Sequence, residues 1–76
     1  MNVTVYGTET CFWCKKAKEF LKQNKINYEY YDVAEDDSKR EEMMEKSGQL
    51  GVPVLDINGT IIVGFDIEKI KKLLKL

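Results

Sequence analysis

The stretch from Val3 to Val33 sets the tightest limit on what this chain can fold into. Val3-Thr4-Val5-Tyr6 alternates β-branched and aromatic residues, the pattern of a strand, and Gly7 ends it. Cys14, Ala17 and Leu21, joined by Phe20, then fall on one stripe at helical spacing, with Lys15, Lys16, Lys18, Glu19 and Lys22 facing outward. The spacing predicts a helix from about Cys11 to Asn24, with Thr10 as its N-cap and Asn24 as its end. Tyr28 to Val33 is aromatic-rich and reads as a second strand. A strand, a crossover helix and a second strand imply a right-handed parallel βαβ unit.

The rest of the chain adds a helix, a hairpin and a last helix. Ser38 followed by Glu41 is a capping-box signal inside the charged segment Glu35–Lys46, where Met43 and Met44 offer a narrow apolar contact. Gly48 and Gly51 bracket a loop. Val52 to Ile57 and Thr60 to Val63 flank Asn58-Gly59, a pair that supplies the positive φ angles of a two-residue hairpin turn. Gly64 breaks that strand, and Asp66 caps a helix with the apolar stripe Ile67, Ile70, Leu73, Leu74. The predicted order is βαβ, α, ββα, in one domain of 76 residues with no repeat, linker or low-complexity tract.

Cys11 and Cys14 are the only two cysteines. Bridging them closes a loop too short to staple a fold, so structural stapling is a poor explanation for the pair. A helix start stabilises a thiolate, the reactive form of cysteine, and Lys15 is a further positive charge nearby. A second thiol one turn later can attack any mixed disulfide the first one forms. Cys11 sits at the fraying end and is expected to be accessible; Cys14, in register with Ala17 and Leu21, is expected to be buried. Inert cysteines in a binding module would require both to be buried. Zinc needs four ligands, and this chain has no histidine and two thiols, so a metal site would need a dimer or outside thiols. Formal net charge is −1, with acids and bases interspersed, which gives no footprint for nucleic acid. Met1 through Tyr6 is too short and too polar for a signal peptide, and no apolar run approaches a membrane span. The expected compartment is a reducing cytoplasm, where CxxC beside a βα unit reads as a redox motif. Phe12 and Trp13 are either packed against the domain or form an apolar rim that docks substrate. Tyr6 is expected to serve core or rim packing near the CxxC. Tyr28, Tyr30 and Tyr31 are expected in strand and core packing.

Three places together resemble the glutaredoxin family: the CxxC in TETCFWCKKAK, the Val-Pro pair in GVPV and the Gly-x-Asp turn in VGFD. The resemblance covers essentially the whole chain. It implies a minimal thioredoxin-like α/β fold, with a four-stranded mixed sheet and three helices, and a dithiol–disulfide oxidoreductase. It implies Cys11 as nucleophile and Cys14 as resolving thiol. Pro53 would be a cis-proline facing the CxxC, and the Val52 backbone would pair with an extended peptide or glutathione. Gly64, Phe65 and Asp66 would receive the γ-glutamyl end of glutathione, with Trp13 and the position of Thr8 also at the substrate site. The chain departs from the common pattern at several points. Phe12-Trp13 stands where Pro-Tyr is frequent, and Thr8, beside the acidic Glu9, where a basic residue often holds a glutathione carboxylate. Gly51 replaces the Thr of Thr-Val-Pro, Val63-Gly64 replaces Gly-Gly, and Ile67 replaces a second acid. Gly64-Phe65 is more similar to glutaredoxin-like redoxins that take electrons from thioredoxin reductase and serve ribonucleotide reductase. The expected partners are disulfide-containing proteins, with glutathione or thioredoxin reductase as electron donor. No tightly bound cofactor is expected, glutathione is a candidate co-substrate, and the protein is expected to act as a monomer. Some family members hold a [2Fe–2S] cluster between two subunits with glutathione as extra ligand, which is a third reading.

Overall fold

The computed structural model describes residues 2–76; Met1, which opens the segment read above as too short for a leader, lies outside them. The elements are β1 (Val3–Gly7), α1 (Phe12–Gln23), β2 (Glu29–Asp32), α2 (Asp37–Ser47), β3 (Val54–Ile57), β4 (Thr60–Val63) and α3 (Ile67–Leu74). The sheet order is β2-β1-β3-β4. β2 runs parallel to β1, while β3 and β4 are antiparallel to their neighbours. This is the mixed sheet with three helices that the sequence implied.

Strand alternation divides the interior in two. Val3, Val5, Leu55, Ile57 and Ile62 pack against Ala17 and Leu21 of α1 and Ile70 and Leu74 of α3. Tyr6 and Val54, one residue out of phase, pack with Val33 and Met43 of α2 on the opposite face. Tyr6 therefore points away from the first helix. Its hydroxyl donates to Glu42 and accepts from Lys46 Nζ at 3.0 Å, and Lys46 also pairs with Asp56 at 2.8 Å. Tyr6 is thus a core residue of the α2 face and not part of the CxxC rim. Of the two adjacent methionines, Met43 is buried and Met44 is exposed. Among the described residues no helix is long and apolar enough to cross a membrane.

Several ends differ from the sequence reading, each for a local reason. Cys11, not Thr10, is the N-cap of α1, because its own sulfur accepts the N–H of Cys14 at 3.1 Å. Asp36, not Ser38, caps α2, accepting the N–H of Lys39 at 3.1 Å; a carboxylate two residues earlier outcompetes the hydroxyl. β2 spans Glu29–Asp32 and is shorter at both ends than Tyr28–Val33. The hairpin turn falls where expected, with Asn58 and Gly59 at φ 52° and 94° between the paired Ile57 and Thr60. Asp66 caps α3, as read.

Candidate active site

The two sulfurs sit at the junction of β1 and α1, in unequal surroundings. Cys11 is extended at φ −86°, ψ 117°, half-buried at the head of the helix, and takes the Cys14 N–H on its sulfur. The cap interaction that starts α1 thus also aims a backbone donor at the sulfur where negative charge would form. Cys14 is wholly buried, its sulfur packed on the backbone of Gly7. A Cβ at Gly7 would stand 2.8 Å from Cys14 Sγ and 3.2 Å from Tyr30 Cε1, so only glycine lets both side chains close over β1. Burial first, then the hydrogen bond with Cys11, push the Cys14 thiol up to about 12, while the Thr8 backbone and the Lys18 ammonium pull it back. At neutral pH Cys14 is a protonated reserve thiol.

A shallow cleft of about 190 Å³ opens beside Cys11, lined by Trp13, Val52, Pro53, Gly64 and Phe65. The Val52–Pro53 peptide is cis, and Pro53 is buried between the cleft and the sheet. The Val52 carbonyl lies 4.0 Å from Cys11 Sγ and has no backbone partner among the described residues. Gly64, at φ 85°, donates to the Pro53 carbonyl at 2.7 Å and so ties the β4–α3 turn to the proline. Trp13 is 56% exposed and lies parallel to Phe65 at 6.3 Å, which in turn meets Phe20 edge-on at 6.0 Å. Phe12, 59% exposed, meets Trp13 edge-on at 5.1 Å. Both rings are exposed and packed: Trp13 lines the cleft, and Phe12 leans on Trp13 without lining it.

Five of the nine residues singled out from sequence line this cleft, Trp13, Val52, Pro53, Gly64 and Phe65, with Cys11 facing the Val52 carbonyl beside it and Cys14 buried against Gly7. Thr8 and Asp66 do not line the cleft. Thr8 accepts the Cys11 N–H at 3.3 Å through its carbonyl and so shapes the turn into α1. The Asp66 carboxylate is occupied by its own helix, accepting Lys69 N–H at 3.3 Å and pairing with Lys69 Nζ at 4.0 Å. Two contributors were missed. Gly7 was read as a strand end, although its place between a strand and a CxxC helix is the signal for a close approach. Lys18 was placed with the outward lysines. It is half-buried, 3.9 Å above the Tyr30 ring and 4.0 Å from Glu9, and its position four residues after Cys14 was the available clue. Lys15 is exposed.

Comparisons with known proteins bear on the family and the fold. The glutaredoxin family profile matches residues 3–62. A glutaredoxin-like 8.6 kDa protein in the rubredoxin operon of Clostridium pasteurianum is 49% identical over 73 residues, 96% of this chain and 97% of that protein. Glutaredoxin 3 of Escherichia coli K12 is 35% identical over 65 residues, 86% of this chain and 78% of that protein. The crystal structure of a glutaredoxin from Archaeoglobus fulgidus superposes with a TM-score of 0.90 at 29% identity, covering 99% of this chain and 87% of its own. The profile, these relatives and the shared fold place the chain in the glutaredoxin family of thiol oxidoreductases.

Proposed function

We propose that the protein reduces disulfides of other proteins through the Cys11–Cys14 dithiol. The observation that carries this reading is the inequality of the two sulfurs: one at a cleft mouth with a backbone N–H aimed at it, the other buried behind it. Cys11 Sγ attacks a substrate disulfide, forms a mixed disulfide and releases the first substrate thiol. Cys14 then loses its proton, attacks Cys11 Sγ and breaks the bond to the substrate, which leaves as the second thiol. Two electrons pass to the substrate, and the protein is left with a Cys11–Cys14 disulfide. The Val52 carbonyl, which faces the Cys11 sulfur and has no backbone partner among the described residues, suits an extended substrate segment, paired as an added strand. The aromatic rim suits a protein surface more than a small charged thiol.

The same observations favour a protein reductase over glutathione as the electron donor. The five residues lining the cleft carry no charged side chain to hold glutathione's carboxylates, and Asp66 is committed to capping α3. Thioredoxin reductase is the donor, and ribonucleotide reductase one acceptor, that the Gly64-Phe65 resemblance implies. Such a dithiol stays reduced in a cytoplasm, where the protein would act as a monomer.

Two measurements test the proposal. A Cys11→Ser variant should lose insulin-disulfide reduction; retention of activity would overturn the dithiol assignment. Oxidised protein should be turned over by NADPH with thioredoxin reductase, and slowly by glutathione with glutathione reductase. Turnover in the glutathione system alone would reverse the donor assignment.

A further inference from the structure

The resolving step has an electrostatic problem. Cys14 must carry negative charge inside the protein at a moment when Cys11 is tied in a mixed disulfide. The attack also starts from a thiol that burial disfavours as an anion. The charged and titratable groups around it are few. On α1 these are Cys11 and Lys18; Tyr30 packs against the site from β2, with Glu9 of the β1–α1 loop and Asp32 of β2 acting on Tyr30. Among these groups of the described residues two are carboxylic acids, and Lys18 brings the positive charge.

Lys18 is also the lysine that the fold holds in place. It stands one helical turn after Cys14 on the inward edge of α1, a spacing that sets side chains side by side. Its ammonium lies 3.9 Å above the Tyr30 ring centre and 4.0 Å from Glu9 Oε2. Only about a fifth of its side chain is exposed (21%). The Tyr30 ring that carries it packs on Gly7 together with the Cys14 sulfur, both within 3.2 Å of the same missing Cβ position. The neighbouring Lys16 is directed elsewhere, 5.3 Å from the Phe12 ring centre and 3.9 Å from Glu19. The Tyr30 hydroxyl is buried without a partner, so β2 offers this site an aromatic face and no anion at that point.

We propose that Lys18 is the positioning residue of the resolving half-reaction: its ammonium, clamped between the Tyr30 ring and Glu9, steadies the charge that develops on Cys14 as it attacks Cys11. The proposal rests on the dithiol reading above. In the step itself the Cys14 S–H gives its proton to a solvent base, and its electron pair forms the Cys14–Cys11 bond. The Cys11–substrate bond breaks, and the substrate thiolate leaves and is protonated by solvent. Lys18 neither gives nor takes a proton.

The test separates the two half-reactions. Reduced protein mixed with 5,5′-dithiobis(2-nitrobenzoate) in a stopped-flow instrument should release one nitrothiobenzoate as Cys11 attacks and a second as Cys14 resolves the adduct. Lys18→Met and Lys18→Gln should leave the first phase within about twofold. They should slow the second about tenfold at pH 7 and move its pH profile upward by about one unit. Lys18→Arg should restore the second phase to within about threefold, which a packing role for the side chain would not demand. The proposal is overturned by a second phase within twofold of wild type in the folded neutral variants, by equal slowing of both phases, or by arginine being as slow as methionine. Absence of any second release in the wild-type protein would instead overturn the dithiol reading, and this inference with it.

Discussion

Replacing Gly7 by alanine probes the packing that creates the buried thiol, and its sign is diagnostic. Gly7 does not adopt a positive φ. In a site with room, Gly→Ala would stabilise the protein by about 0.4–1 kcal/mol, because the unfolded chain loses conformational freedom. Here the added methyl would stand 2.8 Å from Cys14 Sγ, 3.0 Å from Cys14 Cβ and 3.2 Å from Tyr30 Cε1. The sulfur could swing aside about χ1, but the Cys14 Cβ is fixed to α1, so the helix must shift against β1. Overpacking of this kind costs about 1–3 kcal/mol, which outweighs the entropic gain. The expected net loss is about 1–2 kcal/mol, a fall of roughly 5–15 °C in Tm for a domain of this size. Urea denaturation of the reduced protein at pH 7 measures it. In a Cys14→Ala background the contact with sulfur is gone and that with Cβ remains, so the same change should cost about 0.5–1 kcal/mol less. The variant should also slow the second nitrothiobenzoate release, since Cys14 is displaced from Cys11. Gly7→Ala protein as stable as wild type, or more stable, would refute the claim that this glycine is required by the sulfur behind it.

The other expectations address separate parts of the molecule. Stability of the reduced protein should be level from about pH 6 to about pH 8 and then fall. Cys14 is raised by burial from its ordinary 9.0 to about 12, and Tyr30 from 10.0 to about 12. The unfolded chain therefore loses these protons first between pH 9 and 12, and ionisation draws the equilibrium toward it. Urea midpoints at pH 7, 9 and 10.5 check this, and a rise with pH would contradict it. Trp13→Ala should raise KM for a protein disulfide about tenfold, as loss of an exposed aromatic anchor does, with the rate on a small aliphatic disulfide changed less than threefold; equal effects on both would remove the docking role. Tyr6→Phe should cost about 1–3 kcal/mol in urea melts, because Glu42 and Lys46 lose their shared hydroxyl. It should leave both nitrothiobenzoate phases unchanged, since Tyr6 lies on the α2 face; an altered rate would tie that face to the chemistry.

The sequence by itself determined the order of elements and the place of the thiol pair in it. Periodicity is a local property, so the βαβ start, the Asn58-Gly59 hairpin and most of the stripe Ile67, Ile70, Leu73, Leu74 were readable without partners, while Ile67 at the helix start is exposed. The thiol pair was equally plain, because two residues between cysteines place both sulfurs on one turn wherever that turn lies. Competition among nearby groups was harder to read: the cap of α1 moved to Cys11 once its sulfur could accept an N–H, and that of α2 moved to Asp36. Tertiary structure alone decided the surroundings of the sulfurs. The cleft joins Trp13 to Phe65, and Cys11 to the Val52 carbonyl, across gaps in sequence that no periodicity spans. Strand phase sent Tyr6 to the far face, while the parallel register of β1 and β2 set Tyr30 beside Gly7 and under Lys18. A thiol's protonation and a lysine's direction depend on which distant groups exclude water from them. That is fixed when the chain closes on itself, not by the residues on either side.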